Sequence, residues 1–417
     1  MGKVSAIIVY PIKACQGIQV PEARLTAHGT LEHDREWCIV DERGDRYPPR
    51  QALSQRLCPV LASIGVKLDT ARASLTLSAP GMGLLSLDLS HPGALIQVEC
   101  GGASTTSAGA WHLGLLDGSD AGDAASEWLS QYLNRADSAK ASKPEARFRL
   151  LRATTVRSLA RYAGPEQVPF SSDVALQREG KASPFQMQGV NVKPSDGFLF
   201  HDVAPLHVAS AASFAQLRAK MAKLTPQPTS EELASYSVGS FRPNVVVSGG
   251  KPWAEEDWEL FSLGNCVFRL LKGCPRCTVP ARNQTTGKFH FASKPLLAPQ
   301  TALRRYWSHK CVDPEWEKEW EGPIFGIHAG LDHTADALGP GSNPNSMADP
   351  LHVLRVEDEL TVHRWKVRPM SKSRQVIIAL TPTVIVAVGL LAYMNTLLHW
   401  GAPMAWPWQP VVVRDEL

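Results

Sequence analysis

Between residue 4 and about residue 120 no stretch keeps a helical period long enough to build a long helix. Short apolar or alternating runs are cut instead by turn residues. They include Ala6-Ile7-Ile8-Val9-Tyr10, Trp37-Cys38-Ile39-Val40 before the Asp41-Glu42-Arg43-Gly44-Asp45 turn, Ser63 to Leu68, and Leu95 to Cys100. Many short strands at close spacing leave open edges unless the sheet closes or stacks. The pattern predicts a mainly β protein with some α, beginning with a β-barrel-like domain over residues 1–121.

A helix capped by Asp123 is expected through Tyr132, with Ala125, Trp128, Leu129 and Tyr132 on one face. The polar run from Asn134 to Glu145 reads as a loop. A second domain, residues 122–365, mixes strands such as Phe148 to Arg152 and Asn244 to Ser248 with one helix from about Ser210 to Leu224. Leu217, Met221 and Leu224 form its apolar stripe. Gly339 to Pro350 is rich in Gly, Pro, Asn and Ser and reads as an exposed loop before a strand from Leu354 to Val362.

The 417 residues are 44% apolar and 20% charged, an ordinary globular balance, and the net charge of +3 is too small and too dispersed to argue for nucleic acid. Eight scattered cysteines fit reduced thiols facing a cytosol better than a disulfide scaffold. Met1-Gly2-Lys3-Val4 passes straight into a strand, without a signal-peptide pattern. Val376 to Leu398, about 23 residues without Asp, Glu, Lys or Arg, matches the length of a transmembrane helix. A basic linker, residues 366–375, carries Lys366, Arg368, Lys372 and Arg374. The short tail, residues 399–417, has Arg414 as its basic residue, so the positive-inside rule puts the body in the cytosol and makes the protein tail-anchored.

Cys274 and Cys277 end an alternating run that begins at Cys266, which presents the pair at a strand end. On these residues alone three readings stay open: a redox dithiol, half of a metal site completed from afar, or one thiolate holding a soft metal with its neighbour in support. No second C-x-x-C follows at zinc-finger spacing, and Pro280, Asn283 and Gly287 prevent the helix that a thioredoxin-like dithiol opens. Two plain core cysteines sit badly with Arg276 between them, since a guanidinium is rarely buried without an anionic partner. Upstream, Phe241-Arg242-Pro243-Asn244 adds a guanidinium and an amide. The first domain adds Tyr10-Pro11-Ile12-Lys13-Ala14-Cys15 and Asp34-Arg35-Glu36-Trp37, although each alone also reads as surface charge. Together they suit an anionic cofactor.

YPIKACQG, LEHDREWCIVD, FHDVAPLHVAS, SFRPNVVVSGG, EEDWELFSLG and LKGCPRC with a downstream TG follow one another in the order and spacing of a known family. Over most of residues 4–365 the chain resembles the MOSC-domain molybdenum proteins, and within them the amidoxime-reducing component group. The resemblance implies an N-terminal β-barrel domain followed by a MOSC β-barrel domain. It also implies that Cys277 ligates molybdenum and is the catalytic position. Lys13, Arg35, Ser210, Arg242 and Asn244 would hold the pterin and its phosphate, with Ala14 and Arg276 in the same cluster. Those roles suit the residues: a thiolate is a soft ligand, Arg forks match phosphate, and Ser210 stands at a helix start. Ala14 replaces the family's serine, a loss of about one hydrogen bond, or about 1 kcal/mol.

By the same resemblance the protein is a molybdenum cofactor-dependent oxidoreductase that reduces amidoximes, hydroxylamines and N-oxides. No Rossmann, haem or ferredoxin pattern supplies electrons, so a separate donor is expected, by resemblance cytochrome b5 with its NADH-dependent reductase. The rival reading is a cofactor carrier or sulfur-transfer module, with persulfide on Cys277. MOSC domains occur in the molybdenum cofactor sulfurases, but the pyridoxal phosphate domain associated with them is missing here. A catalytically dead relative is the third reading, and Ala14 is its support. Animal members carry an N-terminal anchor, a part the C-terminal span takes here. The ending Arg414-Asp415-Glu416-Leu417 resembles an ER retrieval signal, which sets the ER membrane beside the mitochondrial outer membrane.

Overall fold

The strands run in chain order as β1 (Gly2–Val9), β2 (Ile18–Val20), β3 (Glu22–Arg24), β4 (Trp37–Asp41), β5 (Gly65–Asp69), β6 (Ser74–Ser78), β7 (Leu85–Asp88), β8 (Leu95–Gly102), β9 (Trp111–Asp120) and β10 (Phe148–Ala153). They continue with β11 (Arg157–Ser158), β12 (Gly197–Phe198), β13 (Leu206–Ser210), β14 (Val245–Ser248), β15 (Trp258–Leu263), β16 (Cys266–Pro275), β17 (Ile324–Leu331), β18 (Val353–Arg355) and β19 (Glu359–Trp365). This computed structural model describes residues 2–102, 111–137, 142–158, 195–202, 204–291, 298–306, 323–332 and 352–365. All lie within one compact unit, Met1–Lys366.

The larger sheet runs β14-β13-β17-β16-β15-β19-β1-β2, and β1 also pairs with β14, so the sheet closes on itself. Closure answers the edge problem that the strand pattern posed. Its interior is filled by alternating side chains: Val4 and Ile7 from β1, Val208, Val245, Phe261, Phe268 and Ile327. A second sheet, β4-β10-β9-β8, and a three-stranded sheet, β5-β6-β7, build the other half with helix α1 (Asp123–Ala136). Trp37, Ile39, Leu53, Leu75, Leu129 and Phe148 pack its core. The predominance of strands, the short helices and the barrel follow from the alternation visible in the sequence.

The halves exchange strands across residue 121. β1 belongs to the closed barrel with β13 to β17, whereas β10 pairs with β4 and β9 in the first sheet. α1 starts at Asp123 as expected, but Gly122 is its N-cap and no side chain caps it. Asp123 lies in the first turn, where it accepts from Arg147 at 2.7 Å and Arg149 at 2.9 Å. The expected strand from Leu354 to Val362 is two, β18 and β19. Between them the Asp358 carboxylate accepts from the Arg355 N–H at 2.7 Å, and Glu357 takes a φ of 76°. Helix α2 (Ala211–Met221) buries Leu217 and Met221, and Leu224 is buried just past its end. Helices α3 (Ser230–Ser235) and α4 (Ala298–Tyr306) complete the described α-helices. Among the described residues no helix is long and apolar enough to cross a membrane. The segments Gly339–Pro350 and Val376–Leu398 lie outside the described residues.

Candidate active site

Where the first sheet meets one end of the barrel, a cleft is lined by Lys13, Ala14, Arg35, Arg242, Asn244, Arg276 and Cys277. Seven of the eight residues expected at a site therefore converge. Each arrives from a strand end. Lys13 and Ala14 follow β1, Arg35 precedes β4, Arg242 and Asn244 precede β14, and Cys277 follows β16. Backbone bonds clamp the approach: Lys13 N–H donates to Trp37 O at 2.8 Å, and Arg35 N–H to Tyr10 O at 2.7 Å. On β16 the register to β17 shifts twice, between Leu270 and Lys272 and between Gly273 and Pro275. Such bulges re-aim side chains, and here they come directly before the Cys pair.

Behind the cleft lies Asp34, fully buried, which accepts from Tyr10 N–H at 2.8 Å, from His201 Nε2 at 2.9 Å and from the Arg35 guanidinium. Burial alone would raise its pKa. Arg35 and His201 outweigh that and hold it at about 2. Arg35 and Arg242 both stack on the Tyr10 ring, 4.5 Å and 4.1 Å from its centroid. Arg35 has Asp34 as counter-ion, whereas Arg242 donates to Gln284 Oε1 at 3.2 Å and to no carboxylate among the described residues. Two guanidiniums held this close leave charge for an anion to neutralise.

The backbone is strained where these residues sit. Ala14, Arg35 and Arg242 take φ values of 69°, 48° and 54°, in the left-handed region that favours glycine. Each costs on the order of 1 kcal/mol, and such residues cluster at binding sites.

Of the described cysteines, Cys277 is exposed and the other six are buried, Cys274 among them. Burial pushes the Cys274 thiol up, so Cys277 is the thiol a ligand can reach. Arg276 does not point free into the cleft: it donates to Phe325 O through Nε at 2.9 Å and to Phe241 O through Nη1 at 3.2 Å. Asn244 also works internally, since its Oδ1 accepts from His207 N–H and its Nδ2 reaches Ile8 O at 3.3 Å. Ser210 stands apart from the cleft lining. Only 2% exposed, it caps α2 by accepting from Ser213 N–H at 3.3 Å.

The cleft also contains residues that the sequence reading did not assign, namely Arg56, Asp202, His207 and His328. His201 and Asp202 lay in the quoted FHDVAPLHVAS run, but nothing in the run says which face they occupy. Lys13 pairs with Asp202 and donates to Phe200 O at 2.8 Å. The Asp202 carboxyl is open to the cleft, and the charges of Lys13 and Arg56 hold it well below its ordinary value. Arg56 came from a stretch with no recognisable pattern.

The barrel architecture agrees with the sequence comparisons. Residues 1–136 match the MOSC N-terminal beta barrel domain and residues 195–334 the MOSC domain. The chain belongs to the MOSC-domain proteins. Among curated relatives it is 25% identical over 358 residues to Mitochondrial amidoxime-reducing component 1 of Homo sapiens, covering 85% of this chain and 83% of that protein. It is 27% identical over 333 residues to Mitochondrial amidoxime reducing component 2 of Bos taurus, covering 79% and 78%. The Mus musculus component 1 is 26% identical over 361 residues, covering 85% and 83%.

Proposed function

We propose that the chain is a molybdenum cofactor-dependent reductase of N-hydroxylated compounds. The observation that carries this is the meeting of the exposed Cys277 with Arg35 and Arg242 in one cleft. The donor set fits such a group. Cys277 would hold the metal through its sulfur, a soft ligand, and Arg242, with Arg35 and Lys13 beside it, would hold the phosphate-bearing pterin. Bound there, the cofactor supplies the two-electron chemistry that removes the oxygen of an N–OH group, with two protons consumed and water released.

The protein's own part is to hold and to orient. Arg276 ties the loop carrying Cys277 to β17 through Phe325 O. Tyr10 keeps Arg35 and Arg242 side by side. Asp202, ionised and open to the cleft with its side chain 61% exposed, can accept a hydrogen bond from the amino group of an amidoxime. Electrons come from a separate protein, for which cytochrome b5 and its NADH-dependent reductase are the candidates by resemblance. The relatives are named mitochondrial, and a C-terminal membrane anchor at residues 376–398 would bring enzyme and donor to one surface.

Purified protein loaded with cofactor and given a chemical reductant should convert benzamidoxime to benzamidine. Cys277→Ala should lose both the conversion and the bound molybdenum without a change in melting temperature. Stoichiometric sulfane sulfur on Cys277 in metal-free protein would instead establish the carrier reading. Resistance of the membrane-bound protein to alkaline extraction, lost when residues 376–417 are removed, tests the anchor.

A further inference from the structure

His207, on β13 and 6% exposed, joins the two segments that build the cleft. Its backbone N–H donates to Asn244 Oδ1 at 3.2 Å, and its carbonyl accepts from Asn244 N–H at 2.8 Å. The ring reaches both ways. Nε2 contacts Arg276 Nη2, and Nδ1 lies 3.3 Å from the Arg242 carbonyl. A guanidinium offers N–H donors and no acceptor, so Nε2 accepts and the ring proton sits on Nδ1, where it donates to Arg242 O. Burial, and then the Arg276 charge, hold the imidazole well below its ordinary pKa, which keeps it in this neutral form.

The surroundings are cut to this contact. At Gly326, where φ is +70°, an added Cβ would stand 2.7 Å from His207 Nε2. The Arg276 guanidinium lies over Phe241 at 5.3 Å and Phe325 at 5.9 Å, and its Nη2 also reaches Phe325 O. Cys277 follows at once in the chain.

We propose that His207 is a positioning residue: by accepting from Arg276 while donating to Arg242 it locks the loop that presents Cys277 to the wall that carries the anion-binding arginine. The lock itself does not depend on the identity of the cofactor. The role of Cys277 as a metal ligand rests on the reductase reading above.

The test uses the full chain, free of cofactor, and follows Cys277 alkylation by iodoacetamide with Cys277→Ala as the blank. Attack on iodoacetamide needs the Cys277 sulfur held at the exposed side of its loop, and the ties of Arg276 fix that loop. His207→Leu should therefore slow alkylation by about five-fold, the factor of one hydrogen bond, at an unchanged melting temperature. Arg276→Met should slow it to the same extent, and the double variant no further. His207→Gln, whose Oε1 can stand in for Nε2, should stay within about two-fold of the parent rate. If Arg276→Met reacts like the parent, if His207→Gln is as slow as His207→Leu, or if the two losses multiply, the proposal is wrong. Should His207→Leu fail to fold, the glutamine and methionine variants decide alone. Pterin content measured in parallel separates the readings. An absence of pterin from the parent protein would defeat the cofactor assignment and leave the thiol result standing.

Discussion

Asp34 shows how a single residue sets the site's charge. Its carboxylate is fully buried, and its folded pKa of about 2 lies below the unfolded value of 3.8. A depressed carboxylate stabilises the fold above the unfolded pKa, and that stability is lost as pH falls through the folded one. The contribution, about 2 kcal/mol, should be complete above about pH 4 and disappear toward about pH 2. Asp34→Asn should cost about 3 kcal/mol in urea unfolding at pH 7, because it strands Arg35. The gap to the parent protein should narrow across that same acid window. A gap that stays constant would show that the Asp34 charge does not stabilise the fold. At this scale the motifs point to residues that the fold brings to one cleft, Cys277, Arg35, Arg242 and Lys13 among them. The sequence could not tell that Asn244 and Arg276 spend their polar groups on the protein itself, because such bonds join residues more than thirty positions apart. His207 stays hidden for the same reason.

Among the elements, turns and caps carry the placement of the site. Ser210, which the resemblance sets at the cofactor, caps α2. Ser210→Ala should cost about 1 kcal/mol in thermal unfolding and leave cofactor content unchanged. If cofactor is lost at an unchanged melting temperature, the residue does reach the pterin. The glycine of the downstream TG motif has a concrete task in the loop after Cys277. At Gly287, with φ of +70°, an added Cβ would come within 2.0 Å of the Pro59 carbonyl oxygen. Gly287→Ala should therefore push the loop off the first half of the molecule and destabilise by about 3 kcal/mol, read from chemical denaturation. Periodicity located most strands because strand alternation is local. The break between β18 and β19 was missed because a charged turn interrupts the alternation without Gly or Pro to mark it.

In the whole molecule, the barrel depends on the first strand of the chain. β1 pairs with β14, β19 and β2, and it buries Val4 and Ile7 in the barrel core. A chain beginning at Tyr10 should be unable to close the barrel and should show no cooperative melting transition, as followed by calorimetry. A sharp transition near the parent temperature would mean that β1 is an accessory strand. The ion cluster of Arg269 with Asp196 and Asp332, nearly inaccessible to solvent, is a second point on which the barrel depends. Arg269→Met should cost about 4 kcal/mol by removing the cation that faces two buried carboxylates, measured by urea unfolding. Alternating apolar runs, turn residues and the C-x-R-C spacing were enough to determine a mainly β protein with a thiol at a strand end. Those signals act between near neighbours, so the order of residues records them. Which thiol faces the cleft, which arginine stays unneutralised and which strands close the barrel were decided only by tertiary structure. Burial and opposing charge are properties of segments that the fold brings together from distant parts of the chain.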